Sequence, residues 1–320
     1  MELISNPTPN DAEKAAIALI QGNLVIFPTE TVYGIGADAS NSQAINRIYH
    51  IKNRPNSSPL IVHISNLQNL FYWASDVPNY AHALAETFWP GPMTLILKRG
   101  TGVSDQITGG QSSVGIRVPS NRIAQNLLLE FENLGGLGIA APSANKHGEV
   151  SATTSDAVQK IFRNEGITGD LILNGGTCEY GIESTIINCT DASPSILRPG
   201  VITPELIEVY TGILCNPRNN SNGLIAPGMS LKHYAPQTKI FINKLPEKGD
   251  GLIAGREFPT PPGVIRIATP KNLFEYAKTL YQSFEKADSL KVKSLCVYLP
   301  DSDSGISIAI KDRVFKAASK

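Results

Sequence analysis

Apolar positions recur at two spacings along this chain, and each spacing predicts a different element. Between residues 11 and 20 the apolar side chains stand three and four apart, which is typical of a helix with one buried face. Elsewhere, short apolar runs end at Gly, Pro or polar residues, as buried strands do. Helices are predicted over residues 11–20, 42–52, 81–88, 121–131 and 155–162. Strands are predicted over residues 23–27, 60–64, 93–97, 114–118, 138–141, 171–173 and 184–187.

The alternation of strands and helices favours an α/β layer architecture. Residues 28–39 are rich in Thr and Gly, and we predict a loop there whose backbone approaches a ligand closely. Residues 216–236 lack periodicity and are rich in Asn, Pro and Gly, which indicates a linker. Chain length supports more than one domain, since 320 residues exceed what one core usually serves.

The remainder of the chain predicts a small parallel sheet of βα units. Strands are predicted over residues 239–243, 264–268 and 294–298, and helices over residues 272–287 and 304–318. We therefore expect a first domain over residues 1–215, a linker and lid over residues 216–236, and a second domain over residues 237–320.

Charge separates the same two parts. The chain is neutral overall, but residues 1–236 carry 14 basic against 19 acidic side chains, and the rest carries 14 against 9. An acidic first domain argues against a general nucleic-acid binder, which normally presents a basic face. No basic start followed by an apolar run opens the chain, and the four cysteines have no CxxC spacing. We expect a cytoplasmic protein with reduced thiols and no zinc site.

Familiar catalytic and nucleotide signatures are absent from the sequence. Gly34 and Gly36 lack the third glycine of a dinucleotide fingerprint, and there is no GxxxxGK[ST] run. Ser143 has no flanking glycines of the GxSxG type, so a serine hydrolase is disfavoured. A nucleotide site in this chain must be built in another way.

Cationic and small polar residues suggest such a site. Lys52 and Arg54 flank Asn53, and Arg117 and Arg198 lie in apolar runs. Taken singly, each arginine is most simply a surface residue on a half-buried strand, and His63 is most simply a strand-end histidine. Several fixed cations beside Ser, Thr and Gly loops instead suit a ligand that carries carboxylate and phosphate.

Longer runs resemble the conserved sequences of the YrdC/Sua5 family. In order, they are FPTETVYG (27–34), KNRP (52–55), PLIVH (59–63), WPGPMT (89–94), GIRVP (115–119), APSAN (141–145), EST (183–185) and LRPG (197–200). The resemblance continues through APGMSLKHYAP (226–236) and AIKDRV (309–314), which selects the long, two-domain Sua5 form. It implies a YrdC-like twisted mixed sheet with flanking helices, plus a smaller Rossmann-like α/β domain.

The resemblance implies that the chain is a threonylcarbamoyl-AMP synthase, a nucleotidyltransferase. The family joins L-threonine, bicarbonate and ATP with Mg²⁺, releases pyrophosphate, and supplies a downstream tRNA threonylcarbamoyl transferase that makes t6A37. The alternative is a non-catalytic double-stranded RNA-binding, translation-associated protein, and weak RNA binding is compatible with either.

The resemblance also assigns residues. Those implied for L-threonine are Thr31, His63, Arg117, Ala141 and Ser184, with Arg117 the natural partner of the carboxylate. Those implied for ATP are Lys52, Arg54, Ser58, Ser113, Ser143, Asn145, Ser151, Arg198 and Tyr234. Of these, Lys52 and Arg54 are the expected catalytic cations, and Tyr234 would belong to the lid.

Overall fold

A computed structural model describes residues 1–216, 225–229 and 233–319. In this part of the chain the first sheet has ten strands in the order β1-β8-β2-β3-β7-β4-β6-β5-β9-β10, with parallel and antiparallel pairs. Its strands are β1 (Glu2–Ile4), β2 (Val25–Phe27), β3 (Gly34–Asp38), β4 (Ile61–His63), β5 (Met93–Lys98), β6 (Ser113–Arg117), β7 (Ile139–Ala140), β8 (Leu171–Leu173), β9 (Thr185–Asn188) and β10 (Ser195–Arg198).

The second sheet is smaller and entirely parallel. Its order is β11-β14-β12-β13, and its strands are β11 (Ile240–Ile242), β12 (Gly251–Ile253), β13 (Ile265–Ala268) and β14 (Leu295–Val297). The predicted α/β class, with one large mixed sheet and one small parallel sheet, is confirmed.

Helices pack on both sheets through the apolar faces that the sequence indicates. They are α1 (Pro9–Ile20), α2 (Ser42–Lys52), α3 (Leu70–Trp73), α4 (Asn79–Phe88), α5 (Asp105–Thr108), α6 (Arg122–Asn133), α7 (Ser155–Phe162), α8 (Pro204–Thr211), α9 (Leu273–Leu290) and α10 (Ile306–Ala318). None of these described helices combines the length and apolarity that crossing a bilayer requires.

The two sheets do not form isolated bodies, because one apolar core crosses between them. Tyr281 and Phe284 on α9 pack in a cluster that also contains Ile182 and Val201 from the loops beside β9 and β10. Backbone also meets backbone here. Gly181 lies so close to α9 that a Cβ atom would stand 2.4 Å from the Lys278 carbonyl oxygen.

The loop predicted over residues 28–39 was wrong in its second half, where β3 forms. The glycines in this stretch suggested a loop, but Gly36 lies within β3. Its position has no room for a side chain, because a Cβ atom there would lie 2.7 Å from Ile139 and 2.8 Å from Phe27. Six further elements were missed, namely β1, β10, β12, α3, α5 and α8. Of the predicted linker, residues 217–224 and 230–232 lie outside the described residues.

Candidate active site

A small buried cavity lies where the central strands of the large sheet end. Nine of the predicted site residues line it: Thr31, Arg54, His63, Arg117, Ala141, Ser143, Ser184, Arg198 and Tyr234. Five others do not line it: Lys52, Ser58, Ser113, Asn145 and Ser151. The cavity measures about 50 Å³, which is room for one or two water molecules.

At the C-terminal end of α2 the side chains of Lys52 and Arg54 point in different directions. Asn53 caps the helix in the left-handed conformation, with φ of 50°, so the chain turns between Lys52 and Arg54. Lys52 is buried and its Nζ donates to the main-chain carbonyls of Ser143, at 2.5 Å, and Asn145. Burial, with the nearby Arg54 charge, lowers the pKa of Lys52 well below its usual value. Lys52 therefore holds the 143–145 loop in place and does not line the cavity.

Arg54 turns the other way and reaches the cavity. Its Nη2 donates to the Pro59 carbonyl at 2.8 Å, and its Nε lies 3.4 Å from the Ser58 carbonyl. Burial lowers its pKa to about 10, which leaves it charged at neutral pH. Ser58 thus contributes a carbonyl that orients Arg54, while Ser113 begins β6 opposite Lys98.

The Ser143 loop is held by its own hydrogen bonds. Ser143 Oγ donates to Asn145 Oδ1 at 2.5 Å, and Asn145 Nδ2 donates to the carbonyls of Lys146 and Glu149 at 2.7 and 2.9 Å. Ser143 faces the cavity. Asn145 therefore fixes the shape of the loop that carries Ser143.

Parallel pairing of β4 with β6 sets His63 beside Arg117. Burial, reinforced by the Arg117 charge, lowers the pKa of His63 to about 3, so its imidazole is neutral. Its Nδ1 has no hydrogen-bond partner among the described residues. Thr31 Oγ1 lies 2.8 Å from Thr29 Oγ1 at the same end of the sheet, and the Ala141 N–H donates to the Ile61 carbonyl at 3.0 Å.

Sequence reasoning missed the partner of Arg117. Its Nη2 donates to Glu30 Oε1 at 2.5 Å, and Glu30 Oε2 accepts the Ser120 N–H at 3.0 Å. Both members of this ion pair are buried. The one available signal was an acidic residue within the otherwise uncharged run from Leu24 to Ala37, which predicts a buried counter-ion.

The hairpin of β9 and β10 brings Ser184 and Arg198 together. Arg198 donates through Nε and Nη2 to the Ser184 carbonyl at 3.1 and 2.9 Å, and its Nη1 donates to the Pro227 carbonyl at 3.1 Å. A register shift between Ile196 and Arg198 marks a bulge, a feature that re-aims the side chain next to it. Ser184 Oγ also lies 2.8 Å from Thr94 Oγ1.

Glu183, which also lines the cavity, joins the two sheets and was not predicted. It accepts from Ser151 Oγ at 2.7 Å, from the Tyr281 hydroxyl at 3.0 Å and from Arg313 Nε at 2.8 Å. Burial opposes its charge, but the guanidinium groups of Arg313 and Arg198 outweigh burial and lower its pKa to about 2. Ser151 therefore meets the site through this carboxylate.

Tyr234 also lines the cavity. Its ring stacks on Tyr281, with centroids 5.7 Å apart, and lies 5.2 Å from the Arg313 guanidinium carbon. Its hydroxyl has no hydrogen-bond partner among the described residues. Burial, together with the Glu183 charge, raises its pKa to about 12. The cavity therefore presents three guanidinium groups, several hydroxyls and one neutral imidazole.

Comparison with known proteins now identifies the family. A family model named for Sua5, YciO and YrdC and described as telomere recombination matches residues 18–200, more than half of the chain. The chain belongs to the Sua5/YciO/YrdC family. A second model, described as the C-terminal domain of threonylcarbamoyl-AMP synthase, matches residues 202–319 and confirms the resemblance to the two-domain Sua5 form.

Relatives of similar length exist within the Sua5 family. The threonylcarbamoyl-AMP synthase of Bacillus subtilis is 36% identical over 344 residues, which cover 98% of this chain and 94% of that protein. The synthase of Pyrococcus abyssi is 35% identical, over 95% of this chain and 93% of its own. A crystal structure of P. abyssi Sua5 complexed with L-threonine superposes with a TM-score of 0.88 at 31% identity, over 99% of this chain and 98% of that one.

Among the described residues of this Sua5 family member, no three His, Cys, Asp or Glu side chains are grouped so that they could hold a metal ion. Within residues 1–216, 225–229 and 233–319, Glu183 is the one carboxylate that lines the cavity, and it is hydrogen-bonded to Ser151, Tyr281 and Arg313.

Proposed function

We propose that this chain is a threonylcarbamoyl-AMP synthase, which converts L-threonine, bicarbonate and ATP into threonylcarbamoyl-AMP and pyrophosphate. The observation that carries the proposal is the convergence of Arg54, Arg117 and Arg198 with Ser143 and Ser184 on one cavity. Full-length relatives named as this enzyme support it, and they favour it over the RNA-binding alternative. Weak RNA binding stays a prediction.

The amino acid would bind at the end of β4 and β6. Arg117 is oriented by Glu30 and offers its guanidinium to a carboxylate. His63 is neutral, and its unpartnered Nδ1 is available for a polar group of the ligand. Thr31, the backbone at Ala141 and Ser184 would complete the threonine pocket. The P. abyssi relative, which has been crystallised with L-threonine, supports such a pocket in the family.

The nucleotide would bind beside it, at the cations on the other wall of the cavity. Arg54 and Arg198 line the cavity and would neutralise phosphate charge, with Ser143 and Tyr234 alongside. Lys52 and Asn145 would act by holding the 143–145 loop, and Ser151 by holding Glu183. Ser58 would orient Arg54 through its carbonyl. Ser113, the remaining predicted ATP residue, lies on β6, whose last residue is Arg117.

The reaction needs alignment and charge neutralisation more than a protein nucleophile. The threonine amine adds to bicarbonate with loss of water and gives a carbamate. A carbamate oxygen then attacks the α-phosphorus while pyrophosphate leaves on the opposite side. Alignment of bound reactants can lower such a barrier by ~7 to 11 kcal/mol, and fixed cations stabilise the charge that develops on the phosphates. A closed site also excludes the water that would hydrolyse the carbamate.

Magnesium would enter with ATP and be held mainly by the phosphates, since Mg²⁺ commonly binds substrate phosphates and retains several waters. We further propose a cytoplasmic enzyme, whose product passes to a tRNA threonylcarbamoyl transferase for t6A formation. The division into a catalytic domain over residues 1–215, a linker over 216–236 and a second domain over 237–320 is part of the same proposal.

Product analysis tests the function directly. The protein is incubated with L-threonine, bicarbonate and MgATP, and mass spectrometry is used to detect threonylcarbamoyl-AMP. Pyrophosphate release should require both threonine and bicarbonate. Arg54→Ala should abolish it, because a cation facing the phosphates is lost, whereas Arg163→Ala removes an exposed arginine and should not. Near-normal turnover by Arg54→Ala would contradict the assignment.

A further inference from the structure

Two successive carbonyls beside the cavity are held by cations from different parts of the chain. We define the closing segment as residues 225–229 and 233–236. Arg198, on the large sheet, donates to the Pro227 carbonyl at 3.1 Å. Lys316, on α10 beside the small sheet, donates from Nζ to the Gly228 carbonyl at 2.7 Å. The closing segment is therefore attached to both halves of the molecule within two residues.

Lys316 is an unusual residue for its position. It is 7% exposed, and an ammonium group at such depth is unfavourable unless it has partners. Asp312, one turn earlier on α10, accepts from its Nζ at 2.8 Å and also from Arg313 at 2.7 Å. The main-chain carbonyl of Lys316 lies 3.5 Å from the His233 nitrogen, which donates to it. One residue thus contacts both described parts of the closing segment.

Gly228 connects this contact to the site. It has φ of +81°, and a Cβ atom there would lie 2.1 Å from Tyr234 Oη and 3.2 Å from Arg198 Cδ. Tyr234 Oη, Gly228 and Arg198 are therefore packed against one another at the wall of the cavity. Fixing the Gly228 carbonyl fixes the place where the unpartnered Tyr234 hydroxyl rests.

We propose that Lys316 is a positioning residue of the synthase reaction. Through the Gly228 carbonyl it holds the closing segment, and with it Tyr234, over the bound substrates. The proposal rests on the proposed function. A cavity of about 50 Å³ is far below the ~300 to 1,000 Å³ of small-molecule pockets, so the substrates need a wider spacing of its walls than this structure has. Lys316 acts when the walls close again.

The variant that isolates this role is Lys316→Met, which keeps the length of the side chain and removes its charge and donors. Hydrogen bonds from charged groups commonly shift a two-state equilibrium about ten- to a hundredfold. We expect kcat/KM for ATP to fall by about tenfold or more. The Kd for L-threonine, measured by calorimetry, should stay within about twofold, because the proposed threonine residues lie on the large sheet and its loops.

Matched variants separate positioning from folding. Lys311→Met is the control, because Lys311 lies on the same helix and pairs at 2.6 Å with Asp303, whose side chain is 90% exposed. It should keep wild-type kinetics, and Lys316→Arg should recover most of the lost activity. A Lys316→Met enzyme as active as Lys311→Met would overturn the proposal. So would a matching loss of threonine affinity, which indicates general damage to the site.

A double-mutant cycle with Gly228→Ala tests the route of the effect. That substitution places a Cβ against Tyr234 Oη and should itself displace the closing segment. If Lys316 acts through Gly228, adding Lys316→Met should then cause little further loss, whereas additive effects would refute the route.

Amide hydrogen exchange provides a readout without the reaction. Peptides that contain Gly228 and Tyr234 should exchange about tenfold faster in Lys316→Met than in Lys311→Met. Unchanged exchange overturns the role of Lys316 even if the synthase reaction is present. Failure of the wild-type chain to form threonylcarbamoyl-AMP overturns the proposed function. In that case the exchange result still shows whether Lys316 holds the closing segment in place.

Discussion

Replacing Glu183 by glutamine removes one charge from the centre of the contact between the two sheets while keeping the size of the side chain. The pKa of Glu183 stands at about 2 against 4.5 for an ordinary glutamate, and this difference corresponds to about 3 kcal/mol of stability. Breaking one side of a buried ion pair typically costs ~3 to 5 kcal/mol. Both estimates give a loss of about 3 kcal/mol at pH 7, because the buried Arg313 loses one of its two carboxylate partners and keeps only Asp312.

The sign of the pH dependence sharpens this prediction. Because the folded pKa is depressed, the contribution of Glu183 is complete above about pH 5 and is lost as pH falls from 4.5 towards 2. The stability gap between the wild type and Glu183→Gln should therefore narrow between pH 5 and pH 3.

Urea unfolding at several pH values measures the difference in free energy of unfolding between the wild type and Glu183→Gln. The unfolding midpoints are compared with the same m-value for both proteins. Glu247→Gln is the control, because its bond to Lys293 joins side chains that are about two-thirds exposed, and such pairs contribute at most ~1 kcal/mol. A Glu183→Gln loss no larger than the control, or a gap that does not change with pH, would refute the reasoning.

Three further predictions concern stability. The pKa of His63 is about 3 in the folded chain and 6.5 in the unfolded chain, so the free energy of unfolding should decrease as pH drops below 6.5. Between pH 7 and pH 5 this effect amounts to about 2 kcal/mol. In urea titrations His63→Asn should therefore show a decrease that is smaller by about 2 kcal/mol than that of the wild type. Gly181→Ala should cost about 1 to 3 kcal/mol in thermal melts, since its Cβ meets the Lys278 backbone; a neutral result would contradict that close approach. Asp170→Ala should cost about 3 kcal/mol by urea denaturation, because the buried Leu24 N–H and Arg47 lose their acceptor; a loss under 1 kcal/mol would contradict this.

Local patterns predicted local structure well. The helix over residues 42–52 ends as predicted, because Asn53 caps it in a left-handed turn and Pro55 disfavours helical geometry at Arg54. The strand over residues 171–173 and the helix over residues 155–162 also match the structure. In each case periodicity and the flanking turn residues lie within one short window, so the sequence contains the whole signal.

Pairs that are distant in sequence could not be predicted in this way. Glu30 meets Arg117 across 87 residues, and Glu183 meets Arg313 across 130. No periodicity links such positions, since their approach depends on strand order and on how the two sheets pack. The family resemblance supplied nine of the residues that line the cavity, but it did not indicate which cations face the cavity and which, like Lys52, support a loop behind it.

The left-handed turn at Asn53 limits which residues can replace it during evolution. Lys52 and Arg54 diverge because the residue between them has φ of 50°, a conformation open to Gly and Asn and costly for branched side chains. A saturation library at position 53 should therefore return mainly glycine and asparagine, although the side chain there is exposed. The narrow range of residues accepted at position 53 would resemble that of a residue that contacts a ligand. Its cause is instead the φ angle of a single residue.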